Sequence, residues 1–321
     1  MKTADRVLEL LYDRGENFYL LEELSAAANL TARRLKNALE LLQQSGYAVE
    51  FSPAQGARLF RPVKLNANLI ERGLGTGRIG RNVICFDEVG STNDVALDSA
   101  RQSGADGLAV LAESQRRGRG RQGRRWISPG GANILMSVLL IEPRSSKLAH
   151  EALTIAAGLA LAQAVADAAG LGCQLKWPND VLLEGAKVAG VLVEIRRQPA
   201  RQCLVIGVGI NANAAPPAGQ VDRPAACLAD HLGHPVERIE LARAVLRRLE
   251  EWTVRIANRG IEELHAAWLA RCGMINHRSA IVCAGKRYVG RVLDISPLEG
   301  LTLCRDDGRT VRLPAKGSTV L

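Results

Sequence analysis

Three stretches of the first sixty residues repeat apolar positions with the period of a helix. Thr31 is placed to cap the third of these predicted helices at its N-terminus, and Gly46 follows its end. Residues 47–51 and 57–60 then predict two short strands joined by a turn. The apolar positions of the three helices are Val7, Leu8, Leu10 and Leu11; Leu20, Leu21, Leu24 and Ala28; and Leu35, Ala38, Leu39 and Leu42.

Helix, helix, turn, helix and hairpin is the order of a winged helix-turn-helix, which we predict for residues 1–62. Such domains insert the N-terminal end of the third helix into the major groove of DNA. Residues 1–64 hold nine basic and eight acidic side chains, so a small helical interaction domain is the alternative, unless two copies bind DNA together. The predicted DNA-contacting residues are Arg33, Arg34, Lys36 and Asn37.

Residues 63–82 predict a linker with a short helix. It contains the pattern Gly75-Thr76-Gly77-Arg78-Ile79-Gly80, which resembles a dinucleotide-binding fingerprint. That fingerprint requires a strand before it and a helix after it, whereas here a predicted strand, residues 83–86, follows. We therefore reject a dinucleotide site.

Residues 83–272 mix predicted strands and helices. Ser91, Thr92 and Asn93 open a helix after the first strand, and the alanine-rich residues 151–169 predict a helix buried against the sheet. Consecutive strands at 174–177, 181–183, 187–195 and 203–210 have tight turns between them, which favours antiparallel pairing.

Four further strands are predicted at 279–283, 288–295, 300–304 and 310–313. Alternating with turns, they predict a small SH3-like β-barrel over residues 273–321. The expected fold class is α+β, with a winged helix-turn-helix, a central mixed domain whose sheet is mainly antiparallel, and the barrel.

Composition narrows the class of protein. The chain has 321 residues, 47% of them hydrophobic, and a net charge of +9, of which six charges fall within residues 116–125. The longest apolar run, 134–141, is too short to cross a bilayer, so we expect no membrane partner. Seven cysteines without close spacing predict reduced thiols in a cytoplasmic protein.

The segment at 116–126, called here the Arg–Gly loop, holds six arginines and three glycines before Trp126. Like charges repel and glycine disfavours regular structure, so we expect disorder until an anion binds. Guanidinium groups bind phosphate oxygens in pairs, and glycine lets backbone N–H groups approach, which suits a polyphosphate. A patch for RNA or another acidic partner is the equal alternative at this point.

Three further groups of residues suggest a site on the sheet. Residues 176–180 combine a cation, an indole, a rigid proline, an amide and a carboxylate, Asp180. Lys187 begins an otherwise apolar strand, where partial desolvation is expected. Asn211 follows a strand whose glycines leave room for a flat ligand. Each has an ordinary structural explanation alone, but together with the loop they favour function.

Residues 118–126, 176–180 and 187–194 together resemble the signature motifs of biotin–protein ligases. The domain order is similar to that of the bifunctional bacterial type, in which ligase and biotin-operon repressor share one chain, and the resemblance spans nearly the whole length. The hairpin at 53–58 is less basic and less aromatic than the wing expected of that type, which affects operator recognition more than ligation.

The resemblance implies that biotin and ATP form biotinyl-5′-AMP, and that biotin then passes to a lysine of the biotin carboxyl carrier protein of acetyl-CoA carboxylase. It implies catalytic roles for Lys187, Arg119 and Arg121, and a Mg²⁺ ligand in Asp180. Operator DNA and a homodimer formed in the adenylate-bound state are further implied partners. The residues implied to bind biotin or the nucleotide are Ser91, Thr92, Asn93, Gln115, Gly118, Arg119, Arg121, Trp126, Lys187, Gly190 and Asn211.

Two other functions stay open at this level. One is a transcription regulator that senses a small molecule without catalysis, against which Lys187 and the complete Arg–Gly loop argue. The other is a lipoate or octanoate ligase, which differs in the acid it activates.

Overall fold

Over residues 2–143, 150–258 and 260–321, which the computed structural model describes, the chain forms three β-sheets in sequence order. The sheets have two, seven and five strands. Their strands lie within residues 49–59, 83–210 and 278–320.

The N-terminal part consists of three helices and a hairpin. Thr31 accepts a hydrogen bond from the N–H of Arg34 at the start of the third helix, and Gly46 has a positive φ of 86° just beyond its end. The predicted apolar stripe of that helix is buried. The elements are α1 (Lys2–Arg14), α2 (Leu21–Ala28), α3 (Ala32–Gln44), β1 (Val49–Ser52) and β2 (Gly56–Leu59).

The central part is a seven-stranded sheet with the order β3-β4-β5-β9-β8-β7-β6. In the described chain β3 and β4 are parallel and the other neighbours are antiparallel, which confirms the predicted pairing. After the connecting helix α4 (Ala67–Glu71), its elements are β3 (Val83–Val89), α5 (Thr92–Ser99), β4 (Ala109–Gln115), β5 (Ile134–Pro143), α6 (His150–Ala169), β6 (Gln174–Lys176), β7 (Asp180–Leu183), β8 (Ala186–Arg197) and β9 (Arg201–Ile210).

Helix α6 packs on one face of this sheet. Three helices follow β9, namely α7 (Leu228–Leu232), α8 (Arg238–Ala257) and α9 (Ile261–Leu269), and α6 contacts α8, α9 and β8. Among the described residues, α6 alone is long and apolar enough to cross a membrane, yet 72% of its most apolar window is buried inside the protein. Its composition therefore reflects its position in the core, as predicted.

Helix α5 covers only part of the opposite face. Ala96, Leu97 and Ala100 pack there against Cys203 and Val205 of β9. Further along β9, the residues on this face become Gly207 and Gly209. Because these glycines have no side chains, Asn93 and Trp126 lie close to the sheet there, and they line a cavity that opens at the N-terminus of α5.

The C-terminal part is an antiparallel sheet with the order β13-β12-β11-β10-β14. Its four predicted strands are present, and a fifth, β14, pairs with β10. The three residues of β14 are too few to give a recognisable pattern in the sequence. The strands are β10 (Arg278–Cys283), β11 (Lys286–Ser296), β12 (Gly300–Arg305), β13 (Thr310–Leu313) and β14 (Ser318–Val320).

Buried carboxylates join the linker to the central part. Glu237 accepts hydrogen bonds from the N–H of Val63 at 3.1 Å and from Arg61 at 3.3 Å. Glu113, near the end of β4, accepts from the N–H of Leu65 at 2.8 Å and forms an ion pair of 2.5 Å with Arg238. The residues that leave the N-terminal part are thus hydrogen-bonded to the strand that leads into the Arg–Gly loop.

All seven cysteines lie in the described part of the chain and carry free thiols, as predicted. Burial raises the pKa of Cys85 to about 12 and that of Cys173 to about 11. These thiols are therefore protonated at neutral pH.

Candidate active site

The cavity on the α5 side of the sheet brings most of the predicted site residues together. Its wall is formed by the first turn of α5, the end of β4, the Arg–Gly loop, the turn between β6 and β7, strands β8 and β9, and β14. The predicted residues that line it are Ser91, Thr92, Asn93, Gln115, Arg119, Arg121, Trp126, Asp180, Lys187 and Gly190.

The first turn of α5 forms the polar end of the cavity. Ser91 occupies the N-cap position but its hydroxyl makes no capping hydrogen bond. Gln115 Oε1 accepts from the N–H of Thr92 at 2.7 Å and lies 3.0 Å from its hydroxyl. Ser137 on β5 places its hydroxyl 2.7 Å from Thr92 Oγ1 and 2.5 Å from Asn93 Oδ1. These hydrogen bonds fix a row of donors and acceptors in a buried place.

The Arg–Gly loop contacts several other segments in the structure, which the sequence did not predict. The backbone N–H of Trp126 donates to the carbonyl of Gly118 at 3.1 Å, which closes the base of the loop. Arg119 forms ion pairs with Asp94 at 2.7 Å and with Glu194 at 2.9 Å. Carboxylates from other segments of the protein thus neutralise part of the charge that the loop carries.

Lys187 and Asp180 form an ion pair of 2.5 Å at the opposite end of the cavity. Both side chains are more than half-buried, with exposed fractions of 28% for Lys187 and 16% for Asp180. The backbone of Lys187 is fixed by hydrogen bonds to residues 224 and 226, and a bulge between Val181 and Leu182 adjusts the pairing of β7 with β8 nearby. The predicted lysine and the predicted metal ligand are therefore direct neighbours.

Arg121 spans the cavity toward the C-terminal part. Its guanidinium donates to Asn179 Oδ1 at 3.2 Å, to the carbonyl of Ser318 at 3.4 Å and to that of Ala315. Burial lowers its pKa, which the charge of Arg124 lowers further and Asp180 opposes. Its present partners are thus protein oxygens.

Trp126 packs on the floor of the cavity. Its ring centroid lies 5.4 Å from Lys187 Nζ. A methyl group at Gly209 would overlap the indole, and one at Gly190 would lie 3.2 Å from it and 3.1 Å from Lys187 Nζ. The indole N–H is buried with no hydrogen-bond partner among the described residues. Glycine at these positions is what allows the indole to reach the sheet.

Two predicted residues lie outside this cavity. Gly118 is buried in the loop, where a side chain would collide with the carbonyl of Trp126. Asn211 is 2% exposed, and its Nδ2 donates to the carbonyl of Ala226 at 3.1 Å. Its Oδ1 is buried and has no partner among the described residues, so a donor is lacking at that point.

Cations dominate the end of the cavity that holds Asp180. Burial lowers the pKa of Lys176, and the charges of Arg223 and Lys187 lower it further while Asp180 opposes them. Arg121 adds another positive charge. Among the described residues that line the cavity, Asp180 is the one carboxylate, and Arg121, Lys187 and Arg223 line it as well. This end is therefore positive, which favours the binding of an anion.

Asp180 fits a Mg²⁺ ion only together with other ligands. The described residues include no group of three or more His, Cys, Asp or Glu side chains that could hold a metal. Mg²⁺ in nucleotide sites is usually held by one or two carboxylates with phosphate oxygens and water. One carboxylate beside a cluster of cations that could bind phosphates meets that requirement.

Sequence reasoning missed several residues in the cavity wall and beside it. Ser137 was detectable as the one hydroxyl in the apolar run 134–141. Glu194 and Gln122 stood within the motifs 187–194 and 118–126, but their contacts with the loop and with β14 depend on the tertiary fold. Arg223 and Thr319 also line the wall and carried no signal, because they come from distant parts of the chain.

The predicted DNA-contacting residues lie apart from the cavity, on α3. Arg33, Arg34, Lys36 and Asn37 are all exposed, on the side of the helix opposite its buried stripe. Lys36 lies 3.8 Å from Glu40, a loose surface pair. These side chains are accessible to a ligand.

The chain is similar to enzymes of one family. Residues 85–211 match the biotin/lipoate A/B protein ligase family. A biotin–[acetyl-CoA-carboxylase] ligase of Mycobacterium tuberculosis is 35% identical over 261 residues, 79% of this chain and 95% of that protein. The bifunctional ligase/repressor BirA of Escherichia coli is 28% identical over 308 residues, 95% of this chain and 94% of that protein.

Two further proteins are similar to this chain and point to the same family. The bifunctional ligase/repressor BirA of Bacillus subtilis is 34% identical over 212 residues, so the match spans 65%, just under two thirds, of that relative's length. The biotin protein ligase from Aquifex aeolicus in complex with biotin and ATP superposes with a TM-score of 0.66 at 25% identity, covering 75% of this chain and 99% of that chain. The matched family segment includes the residues that line the cavity from Ser91 to Gly209.

Proposed function

Because this chain belongs to the biotin–protein ligases of the biotin/lipoate A/B protein ligase family, we propose that it joins biotin to a carrier protein at the expense of ATP. The observation that carries the proposal is the cavity itself. A row of fixed polar groups on α5 lies on one side of Trp126, and a cluster of cations around Asp180 and Lys187 lies on the other. One end suits a small polar ring, and the other suits phosphates.

In the first half-reaction, a biotin carboxylate oxygen attacks the α-phosphorus of ATP, and the bond to the β-phosphate breaks to release pyrophosphate. Two anions must approach each other, so electrostatic stabilisation is the main requirement. Lys187 is placed to lie between the carboxylate and the α-phosphate once it leaves Asp180. Arg119 and Arg121 would exchange their present protein acceptors for phosphate oxygens.

Asp180 is the residue that would hold Mg²⁺, with Asn179 beside it. The ion would neutralise charge on the phosphates when bound. Asp180 also orients Lys187, because the two groups form an ion pair.

The biotin ring is assigned to the α5 end. Ser91, Thr92, Asn93 and Gln115 offer donors and acceptors of the kind that a cyclic urea requires, and Trp126 covers the apolar part of the ligand. The unpartnered Oδ1 of Asn211 supports its assignment to adenine, because an exocyclic amino group would supply the missing donor. Gly118 permits close approach of the backbone, and Gly190 permits close approach of the Trp126 indole.

In the second half-reaction, the amine of a carrier lysine attacks the acyl carbon of biotinyl-5′-AMP. An amide forms, AMP leaves and the attacking nitrogen loses a proton. The partner is a biotin carboxyl carrier protein, by analogy with the acetyl-CoA carboxylase named for the M. tuberculosis relative. The free thiols support a reducing compartment such as the cytoplasm.

We propose a second role for residues 1–62, as a winged helix-turn-helix that binds operator DNA through Arg33, Arg34, Lys36 and Asn37. The relative from E. coli, named a ligase/repressor, matches 95% of the chain, and the four side chains are exposed on α3. Within the same scheme, residues 63–82 are the linker, 83–272 the catalytic domain and 273–321 an SH3-like barrel.

Occupancy of the ligand site is proposed to favour a homodimer that binds the operator. The hydrogen bonds of Glu113 with Leu65 and Arg238 support a connection between linker and β4. A population shift of this kind requires that ligand bind the dimer more tightly than the monomer.

The deciding experiment measures pyrophosphate release from Mg²⁺-ATP by the purified chain, with biotin, lipoate or octanoate supplied in turn. We expect release with biotin alone. Release with lipoate or octanoate instead would reassign the acid, and no release with any of the three would leave a sensor without catalysis.

A further inference from the structure

The last strand of the chain contacts the Arg–Gly loop at the edge of the cavity. Thr319 and Val320 of β14 line the cavity wall. The hydroxyl of Thr319 donates to Gln122 Oε1 at 2.7 Å, and Gln122 Nε2 lies 3.4 Å from the carbonyl of Ser318. The amide of Gln122 is therefore held at both of its ends by one strand.

Backbone geometry presents Gln122 to that strand. It stands in the short 3₁₀ turn Arg121–Gly123 with a φ of 55°, a left-handed conformation that residues other than glycine seldom adopt. Such conformations persist where surrounding contacts hold them in place. The contacts with β14 are of that kind, because the neighbouring Arg121 also donates to carbonyls of the same segment.

The loop is attached on both sides of the cavity. On one side Arg119 binds Asp94 of α5 and Glu194 of β8. On the other side Gln122 and Arg121 bind residues 315–319. The loop thus spans the cavity between the central and C-terminal parts of the chain, and the C-terminal part supplies one of its two anchors.

We propose that Gln122 and Thr319 form a clasp, a pair of positioning residues that keeps the Arg–Gly loop closed over the activated acyl group. The proposal rests on the proposed ligase function. The intermediate is a mixed anhydride of a carboxylic and a phosphoric acid. If the loop opens before the carrier arrives, the intermediate leaves, and water then attacks the acyl carbon to give biotin and AMP.

Neither side chain touches the reacting atoms in this scheme. Their effect is on how long the intermediate stays, which distinguishes the clasp from the charged groups that act on the transfer itself. Loss of the clasp therefore changes the coupling between ATP consumption and biotin transfer.

The experiment follows pyrophosphate release by the full chain with Mg²⁺-ATP and biotin, in the absence of carrier. The wild type is expected to release a single equivalent and then slow sharply, because the retained intermediate blocks the site. In Thr319→Val, which keeps the shape but removes the hydroxyl donor, we expect the ratio of the later rate to the initial rate to rise about tenfold, the effect of one ordinary hydrogen bond.

Three further variants test whether the effect is specific to the hydrogen bond between Gln122 and Thr319. Thr319→Ser keeps a hydroxyl and is expected to restore the wild-type ratio. Thr310→Val alters an exposed threonine of the same sheet and is expected to leave the ratio unchanged. The double variant of Gln122→Ala with Thr319→Val is expected to resemble Gln122→Ala alone, since that change already removes the hydrogen bond between the two side chains.

A ratio in Thr319→Val within twofold of the wild type overturns the clasp, as does full additivity in the double variant. A wild-type chain that releases no biotin-dependent pyrophosphate overturns the proposed function itself. These failures are distinguishable, because the first two require a normal initial release by the wild type.

Discussion

The ammonium group of Lys187 lies 2.5 Å from Oδ1 of Asp180. Each was predicted to act on a phosphate or its metal ion, and in the structure each is the other's partner. The ion pair compensates two half-buried charges. Entry of a polyphosphate and its cation would supply each group with a new partner of the same sign as the old one.

Lys187→Ala is expected to lower the rate of pyrophosphate formation about 10²- to 10³-fold, in the range found when a group that stabilises developing charge is removed. The measurement is the initial rate with saturating biotin and ATP. Lys286→Ala, at an exposed position on β11, serves as the control and should keep the wild-type rate. A rate for Lys187→Ala within threefold of the wild type would remove this lysine from the mechanism.

Gly209→Ala is expected to weaken biotin binding, because the new methyl group would overlap the indole of Trp126 and displace it. Overpacking of this kind costs about 1–3 kcal/mol. Titration calorimetry with biotin and thermal unfolding measure the two consequences. At Gly172 a methyl group meets nothing within 4 Å, so Gly172→Ala is the matched control. Equal biotin affinity in both variants would contradict the predicted displacement of the indole.

Glu113→Ala is expected to lower the free energy of unfolding by about 3–5 kcal/mol, because it leaves a buried guanidinium without its counter-charge. Arg238 is only 3% exposed. The pair of Glu299 with Arg312 is more than half exposed on both sides, so Glu299→Ala should change stability by about 0–1 kcal/mol. Urea unfolding compares the two, and a similar small decrease for both would show that the Glu113 pair contributes little.

As pH rises, the affinity for ATP is expected to begin falling at a lower pH than it would if Lys176 had the pKa of an ordinary lysine. The lowered pKa of Lys176, caused first by burial and then by Arg223 and Lys187, means that its positive charge is lost earlier as pH rises. Lys176→Arg keeps its charge to higher pH, so its affinity profile should extend further into the alkaline range. Superimposable profiles for the two proteins would exclude a part for Lys176 in phosphate binding.

Replacing Arg33 and Arg34 with alanine is expected to weaken DNA binding and to reduce its salt dependence, by about one unit of slope for each phosphate that is no longer neutralised. The probe is duplex DNA selected from a randomised pool by the wild-type chain in the presence of biotin and ATP. Biotin-dependent pyrophosphate release by the same variant should equal that of the wild type, because α3 is remote from the cavity. An unchanged salt slope would leave α3 without a role in DNA binding.

Elements with a full period of apolar residues were predictable from the sequence. The buried stripe of Leu35, Ala38, Leu39 and Leu42 and the apolar helix α6 both appear where expected. So do the antiparallel strands β6 to β9, because short turns between them leave few other pairings. A local sequence pattern is enough to predict an element whose buried and exposed positions repeat regularly along its length.

What the sequence did not reveal depends on contacts between distant segments. The order of the Arg–Gly loop comes from Asp94 and Glu194, which lie 25 and 75 residues from Arg119. Strand β14 has three residues and takes its structure from β10 and the loop. No local pattern encodes such partners, so the sequence did not predict these contacts of the loop.

The apolar character of α6 bears on the chain during its synthesis. The helix leaves the ribosome before β8 and well before α8, the two elements that cover much of it in the folded protein. For that interval a segment apolar enough to enter a bilayer lacks the elements that cover it in the folded protein. We therefore expect chaperones to bind the growing chain most strongly between the appearance of residue 169 and that of residue 257, and we expect a product that ends in this range to aggregate more than the full chain.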